Sequence, residues 1–451
     1  MLYRKIGKYI KEHLLSNSDK ILIIEGARQI GKSFIIRETG KSVFKNFIEI
    51  NLAEDDNGEQ FFKNIRTTES FYLALSSRAG ASLNHYEDTL VFIDEIQQYP
   101  QFLTLLKFLR EEKRYHFIAS GSLLGLTLRS TTSIPIGSII RKPMFQLDFE
   151  EFLLANGFGR NALLALNNQF NAHEPLTEEL HRHLLGLFRR YLLIGGMPDA
   201  VNTYLETHNI VKVREIHNSI LSLYGDDAAK YEQQSQKNLL IRRIYGMIPS
   251  QMENKKKRIV AKDIRDRKGD RYAQYQEEFE YLISAGIALD VQAITNPTYP
   301  LRESSQKNLL KLYLNDVGLL TSQLYHNNIR PVLEDESSVN LGAVYESVVA
   351  QELRSKEHYL FYYDNRKKGE VDFLIDDYAD TGVIPIEVKS GKDYSVHSAL
   401  NNLLSGSDYR VSQALVLSNE RKIEQKGKIL YMPIYFLLFI GADDKQSYTT
   451  F

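Results

Sequence analysis

The chain has 451 residues, 43% hydrophobic and 25% charged, a globular composition with room for about three domains and no shortage of core. A formal net charge of −1 excludes a uniformly basic nucleic-acid binder, although a local patch can still serve. The absence of cysteine excludes disulfides, thiolate zinc sites and a cysteine nucleophile, and suits a reducing cytoplasm.

At the start of the chain, Ile6, Ile10 and Leu14 recur at helical spacing and predict an amphipathic helix. The segment lacks the apolar core and small-residue cleavage site of a secretion signal. The longest apolar stretch, residues 435–442, is far too short to span a bilayer. The expectation is a soluble, cytoplasmic protein with no membrane segment.

Ile21-Leu22-Ile23-Ile24-Glu25 has the apolar run of a buried strand, and Phe34-Ile35-Ile36-Arg37-Glu38 reads as the start of a helix. Between them, Gly26-Ala27-Arg28-Gln29-Ile30-Gly31-Lys32-Ser33 is a complete Walker A phosphate-binding loop in the strand–loop–helix setting it requires. The glycines let backbone N–H groups converge on a phosphate, and the helix N-terminus adds its positive dipole end. Lys32 brings a full charge to the β- and γ-phosphates, and the Ser33 hydroxyl reaches Mg²⁺. Asn51, after the strand-like Phe47-Ile48-Glu49-Ile50, is a weaker candidate for the same face.

Further on, Leu90-Val91-Phe92-Ile93-Asp94-Glu95 is an apolar strand ending in two carboxylates, the form of a Walker B. Asp94 is expected to hold Mg²⁺ through water and Glu95 to polarise the attacking water as general base. A third strand, Phe117-Ile118-Ala119, runs into Ser120-Gly121-Ser122, where Ser122 is placed to sense the γ-phosphate. In an open α/β sheet these strand tips converge at the carboxyl edge. ATP and Mg²⁺ are the cofactors this set calls for.

Strand-like and helix-like segments alternate up to about residue 155, which predicts a mostly parallel sheet covered by helices. Helical periodicity then takes over, with Leu184, Leu187, Phe188, Tyr191 and Leu192 on one stripe, until Gly195-Gly196-Met197-Pro198 breaks it. His181 and His183 point to different faces of that helix and read as surface residues rather than metal ligands. From about 236 to 330, helices carrying Leu239, Leu240, Ile244 and Met247, then Phe279, Leu282 and Ile283, precede strand-like runs at 288–291 and 311–314. Helices followed by a hairpin are the order of a winged helix. Residues 255–271 hold nine basic residues against three acidic ones and could contact phosphates, although Glu277, Glu278 and Glu280 on the next helix oppose DNA. Tyrosine is abundant, at 27 residues, without a functional account.

The last hundred residues carry a second constellation. Glu370-Val371-Asp372-Phe373-Leu374-Ile375 is an alternating strand, and Ile384-Pro385-Ile386-Glu387-Val388-Lys389 follows after a polar turn. An Asp on one strand and Glu-x-Lys on the next resemble the core of the PD-(D/E)xK nuclease motif. Glu387 and Lys389 share a strand face, so Asp372 and Glu387 can bind Mg²⁺ while Lys389 orients the water or offsets phosphate charge. Glu346, in the helical segment 343–349, stands where such nucleases carry an additional helix carboxylate, and completes the metal set.

Taken together, the Walker A phrase, Phe92-Ile93-Asp94-Glu95-Ile96-Gln97, Gly121-Ser122 and Leu147-Asp148-Phe149-Glu150-Glu151-Phe152 resemble the bacterial and archaeal AAA-type ATPases. In that family a C-terminal domain of unknown function, itself similar to PD-(D/E)xK nucleases, follows the P-loop domain. Gly195-Gly196-Met197-Pro198, residues 311–319 and Glu370-Val371-Asp372-Phe373 match its second half, so the resemblance covers almost the whole chain. It implies an α/β protein: a P-loop NTPase domain with a mostly parallel sheet at 1–155, a helical lid and winged-helix middle at 156–335, and a restriction-nuclease-like α/β domain at 336–451. Many members have a Gly-Arg pair after the sensor strand. Here Gly137-Ser138 precedes Arg141, and Arg141 and Arg129 are both candidates for a γ-phosphate contact, within one chain or across a homo-oligomer. The resulting reading is an ATPase whose nucleotide state controls the nuclease-like domain on DNA. The alternative is an ATP-driven switch whose C-terminal domain binds protein or nucleic acid without cutting it.

Overall fold

Apolar runs that are too short for helices, each bounded by turn residues, become strands when helices cover both of their faces. In the computed structural model this happens twice. It describes residues 2–16, 18–79, 88–122, 137–231, 235–254, 257–334, 341–391, 395–406 and 409–441. The chain divides into two compact units, Met1–Phe145 with Ser284–Gly286, and Gln146–Ile283 with Ile287–Phe451.

In the first unit β1 (Ile21–Glu25), β2 (Asn46–Asn51), β3 (Thr89–Asp94), β4 (His116–Gly121) and β5 (Ile139–Pro143) form one sheet in the order β2-β3-β4-β1-β5. Every pairing in it is parallel. All six residues of β3 are buried, as expected of a central parallel strand with both faces covered. On one face Ile23, Val91, Ile93 and Phe117 pack with Phe62, Phe71 and Phe102 in a single apolar cluster. A parallel sheet puts the carboxyl ends of all five strands at one edge, so Glu25, Asn51, Asp94 and Gly121 lie there together.

The first unit stops at Phe145, short of the expected 155. The helix Phe149–Ala155 belongs to the second unit, where Asp148 caps it with a capping box to Glu151. In this unit the helix Gly342–Ser355 is buried at every position from Ala343 to Leu353, so it is a core helix rather than an amphipathic one. The region expected as a winged helix has helices Ser235–Glu253, Ala261–Arg265 and Gln276–Ser284, then the antiparallel pair β6 (Ala288–Ile294) and β7 (Ser305–Leu314). Its hairpin is not a free wing. β6 pairs in parallel with β8 (Phe361–Asn365), which annexes both strands to an eight-stranded sheet. That sheet continues through β9 (Gly369–Asp377), β10 (Gly382–Val388), β11 (Ala414–Ser418) and β13 (Ile429–Pro433) to β12 (Glu424–Lys426). One sheet therefore runs across the boundary expected at 335.

Asp316 ties the second unit's glycine-rich turns to its helices. Its carboxylate accepts from the Gly196 amide at 2.6 Å and caps the helix Val317–Tyr325 through the Leu319 amide at 3.1 Å. Burial pushes its pKa up to about 6, against the pull of those amides. The fit admits no side chain at Gly195 or Gly196: a Cβ on the first would lie 2.0 Å from Asp316 Oδ1, and on the second 2.0 Å from the Leu147 carbonyl. Gly195 also ends the helix Glu178–Ile194 with φ 70°, and Pro198 starts the next helix at its first turn, where its missing N–H costs nothing. One expectation fails on the same helix. His181 is buried, with Nδ1 3.0 Å from the Tyr435 hydroxyl, because its face of the helix packs inward; His183 is exposed as expected.

Replacing Asp316 with alanine orphans a buried amide and a helix cap at once. It is expected to destabilise the second unit by about 2–4 kcal/mol. The readout is the urea midpoint of the full chain, and an unchanged midpoint would show that Asp316 holds nothing.

Candidate functional site

The loop at 26–33 takes its shape from residues outside ordinary backbone regions: Gly26 at φ 153°, Gln29 at 64° and Gly31 at 88°. A Cβ at Gly26 would lie 2.3 Å from the Met144 carbonyl, so only glycine passes there. Ala27 and Ile30 are buried beneath the loop, whereas Arg28 is half-buried and Gln29 exposed. Gly31 is the N-cap of the helix Lys32–Val43, so the chain turns from loop to helix where a phosphate would meet the helix N-terminus. Lys32 is 5% exposed, and its Nζ donates to the carbonyls of Gly26 at 3.0 Å and Ala27 at 2.7 Å. Burial lowers its pKa, with Glu95 and Asp94 opposing that effect.

Ser33 Oγ donates to Asp94 Oδ2 at 2.7 Å, and the Ser120 hydroxyl donates to the other oxygen, Oδ1. Asp94 is 3% exposed; burial raises its pKa, and the two hydroxyls counter it. A serine hydroxyl beside a carboxylate, at the lip of a phosphate loop, is a donor set that fits Mg²⁺. Glu95 sits in the left-handed region at φ 53°, a conformation unusual for glutamate. Its carboxylate accepts from Gln97 Nε2, and the same amide reaches Ser122: Nε2 is 3.2 Å from Ser122 Oγ, and the Ser122 N–H donates to Gln97 Oε1 at 3.2 Å. Gln97 thus links the residue expected as general base to the residue expected as sensor. Sequence reasoning gave it no role, because nothing local distinguishes it; only the adjacency of β3 and β4 does.

Two weaker candidates have other partners. Asn51 caps the helix Leu52–Asn57, accepting from the Ala53 and Glu54 amides at 3.0 and 3.1 Å. Arg141 lies on β5 with its guanidinium on Glu25, at 3.0 Å from Nε and 2.5 Å from Nη2. Arg129, and Lys255 and Lys256 of the basic run, lie outside the described residues.

In the second unit the register of β9 and β10 sets Ile386 opposite Phe373 and brings Asp372 and Glu387 to the next position along. The Val388 amide donates to Asp372 Oδ2 at 2.8 Å, and Lys389 Nζ donates to Glu387 Oε1 at 2.7 Å, so Glu387 and Lys389 do share a face. Glu346 approaches from the helix Gly342–Ser355, close enough for its charge to act on both other carboxylates. Burial, then Glu346 and Glu387, push the Asp372 carboxyl well above its usual range. At Glu346 burial acts upward too, but Lys257 and Lys311 outweigh it and the net direction is down. Charge thus acts among the three carboxylates, and Lys389 pairs with Glu387. Even so, among the described residues no group of three or more His, Cys, Asp or Glu is arranged to hold a metal ion. The basic run explains part of this. Lys257 pairs with Glu346, and Arg258 Nη2 lies 2.9 Å from Asp364 Oδ2 and 3.2 Å from Glu370 Oε2.

A family model described as an AAA domain matches residues 18–153. Two models described as domains of unknown function match 185–329 (DUF8612) and 341–437 (DUF4143). No curated protein matches the chain. Among solved structures, the Walker-type ATPase paby2304 of Pyrococcus abyssi is similar at 15% identity and a TM-score of 0.43, over 71% of this chain and 95% of that one. PCH-2 of C. elegans follows at 11% and 0.29, over 46% and 65%, and the Hsp104–ADP complex of S. cerevisiae at 11% and 0.29, over 79% and 43%. Likenesses this distant leave the chemistry of the site to its own residues. The first unit is a parallel-sheet α/β domain of the P-loop NTPase kind, and its match is to the AAA type. No helix among the described residues is long and apolar enough to cross a membrane.

If Gln97 orients Glu95, then Gln97→Leu lowers kcat for ATP hydrolysis about tenfold, the worth of one hydrogen bond, while KM stays near wild type. A matching rise in KM with kcat unchanged would assign Gln97 to nucleotide binding instead.

Proposed function

We propose that this protein binds and hydrolyses ATP through the first unit. The observation that carries the reading is the hydrogen-bonded series Ser33–Asp94–Ser120 with Lys32 and Glu95 beside it, all at the carboxyl edge of one parallel sheet. On nucleotide entry the Lys32 ammonium exchanges the Gly26 and Ala27 carbonyls for phosphate oxygens. Ser33 and Asp94 would hold Mg²⁺, which would supply charge neutralisation on the phosphates. Glu95, steadied by Gln97, takes up the proton of the attacking water. Arg141 pairs with Glu25 and would have to exchange that carboxylate for a γ-phosphate oxygen to act on the nucleotide. Lys32→Ala should raise the Kd for ATP more than tenfold, through loss of the loop's own full charge on the phosphates. Glu95→Gln should keep ATP affinity and slow turnover by about 10²–10⁴-fold, the usual worth of a general base. Unchanged turnover in Glu95→Gln removes that role from Glu95.

We further propose that the second unit carries a nuclease-like site built from Asp372, Glu387 and Lys389, with nucleic acid as its substrate class and nucleotide state as its control. Supporting it is the cross-strand placement of Asp372 and Glu387, with Lys389 on the same face. The alternative, binding without cleavage, gains from the engagement of Lys257 and Arg258 by internal carboxylates, which takes them away from an external phosphate. Lys262, Arg267 and Lys268 of the same run are exposed. Reversing their charge should weaken DNA binding and flatten its salt dependence; an unchanged slope points to a protein partner.

A further inference from the structure

The carboxylate group of the second unit is already supplied with cations. Glu346 Oε1 accepts from Lys257, Glu346 Oε2 from the Tyr313 hydroxyl at 3.1 Å, Asp372 Oδ2 from the Val388 amide and Glu387 Oε1 from Lys389. Glu387 Oε2 is buried, on a residue 6% exposed, and has no hydrogen-bond partner among the described residues. A built coordination sphere would draw three carboxylates together around one ion, and among the described residues no such group is found. The nuclease-like reading asks for a divalent ion at this place, and the donor set in this conformation does not fit one.

The cation in its stead comes from another part of the chain. Lys257 belongs to the segment between the helices Ser235–Glu253 and Ala261–Arg265, not to the strands and helix that carry the carboxylates. Its backbone is left-handed at φ 46°, an unfavourable conformation for lysine that persists only when its surroundings hold it. Those surroundings are specific. The next residue, Arg258, clamps Asp364 and Glu370, the Ile259 amide donates to the Leu310 carbonyl at 3.1 Å, and Lys311, fully buried, lies 2.7 Å from Glu370 Oε1. Arg258 and Lys311 both face the Tyr362 ring, at 5.6 and 4.5 Å from its centre. The segment is thus fastened just after Lys257, whose ammonium reaches Glu346.

We propose that Lys257 is an internal lock, an ammonium that occupies the Glu346–Asp372–Glu387 group in place of a divalent cation and must withdraw before one binds. The proposal deepens the nuclease-like reading and rests on it only for the expectation that a divalent ion belongs there. Withdrawal needs Lys257 to leave its left-handed conformation and its contact with Glu346. The lock excludes a metal by two simple effects: a positive charge already among the carboxylates, and a Glu346 oxygen already taken by the Lys257 ammonium.

The test is Mn²⁺ binding to the full-length, nucleotide-free protein by titration calorimetry, comparing wild type, Lys257→Met, Lys257→Gln and each with Asp372→Asn added. Methionine keeps the apolar stem and glutamine keeps a donor to Glu346, so folding, checked by circular dichroism, is retained in at least one. Expected is at least tenfold tighter Mn²⁺ binding in the Lys257 variants than in wild type, abolished by Asp372→Asn. Wild type binding Mn²⁺ as tightly as the variants, in an Asp372-dependent manner, overturns the lock, as does a folded Lys257 variant that gains no site. Cleavage of single- and double-stranded DNA is read separately on the same proteins. A Lys257 variant that binds Mn²⁺ but cuts nothing sinks the nuclease reading and leaves the lock standing.

Discussion

Taking a carboxylate out of water costs several kcal/mol unless hydrogen bonds or an opposite charge replace its hydration. This chain meets that requirement at Asp94, at Asp316 and at the Glu346–Asp372–Glu387 group, and much of its organisation follows from how each is met. Asp94 is matched by two hydroxyls, Ser33 and Ser120. Asp316 is matched by backbone amides. Glu346 is matched by an ammonium and a phenol.

The three solutions differ in what they leave free to happen. Hydroxyls carry no net charge, so Asp94 keeps its negative charge available to a cation while its buried oxygens stay hydrogen-bonded. Amides of a fixed turn cannot move without unfolding it, so Asp316 serves only to hold the glycine turn, the strand end and the helix start in one place. An ammonium on a separate segment neutralises Glu346 reversibly. A buried pair of this kind is weak evidence of stability, since well-packed apolar residues often do as well; its retention is better understood as a device that can be opened.

Backbone strain is present at two of these sites as well as elsewhere along the chain. Gln29 in the phosphate loop, Glu95 beside the Walker B aspartate and Lys257 at the second carboxylate group all have positive φ without being glycine. Each conformation costs of order 1–3 kcal/mol and must be held by its neighbours. For Glu95 a holder is Gln97; for Lys257 the holders are Glu346 and the clamp of Arg258 on Asp364 and Glu370.

The sequence by itself determined what depends on neighbours along the chain. A strand, a glycine loop and a helix start must be consecutive, so the Walker A site was legible residue by residue, as were Asp94 and Glu95 at the end of an apolar run and the break at Gly195-Gly196-Met197-Pro198. Alternation within one strand is enough to put Glu387 and Lys389 on a common face. The tertiary structure alone decided what depends on residues far apart. That Gln97 joins Glu95 to Ser122 follows from β3 lying beside β4. That His181 is buried follows from Tyr435 packing over it, and that the hairpin β6–β7 is part of a larger sheet follows from its pairing with β8. The basic run is the clearest case: composition alone presents it as a surface for phosphates, whereas folding turns Lys257 and Arg258 inward onto carboxylates. Local spacing records which face a side chain can take, but not which partner waits there, because a charge buried on folding is neutralised by whatever the fold brings within reach, at any distance along the chain.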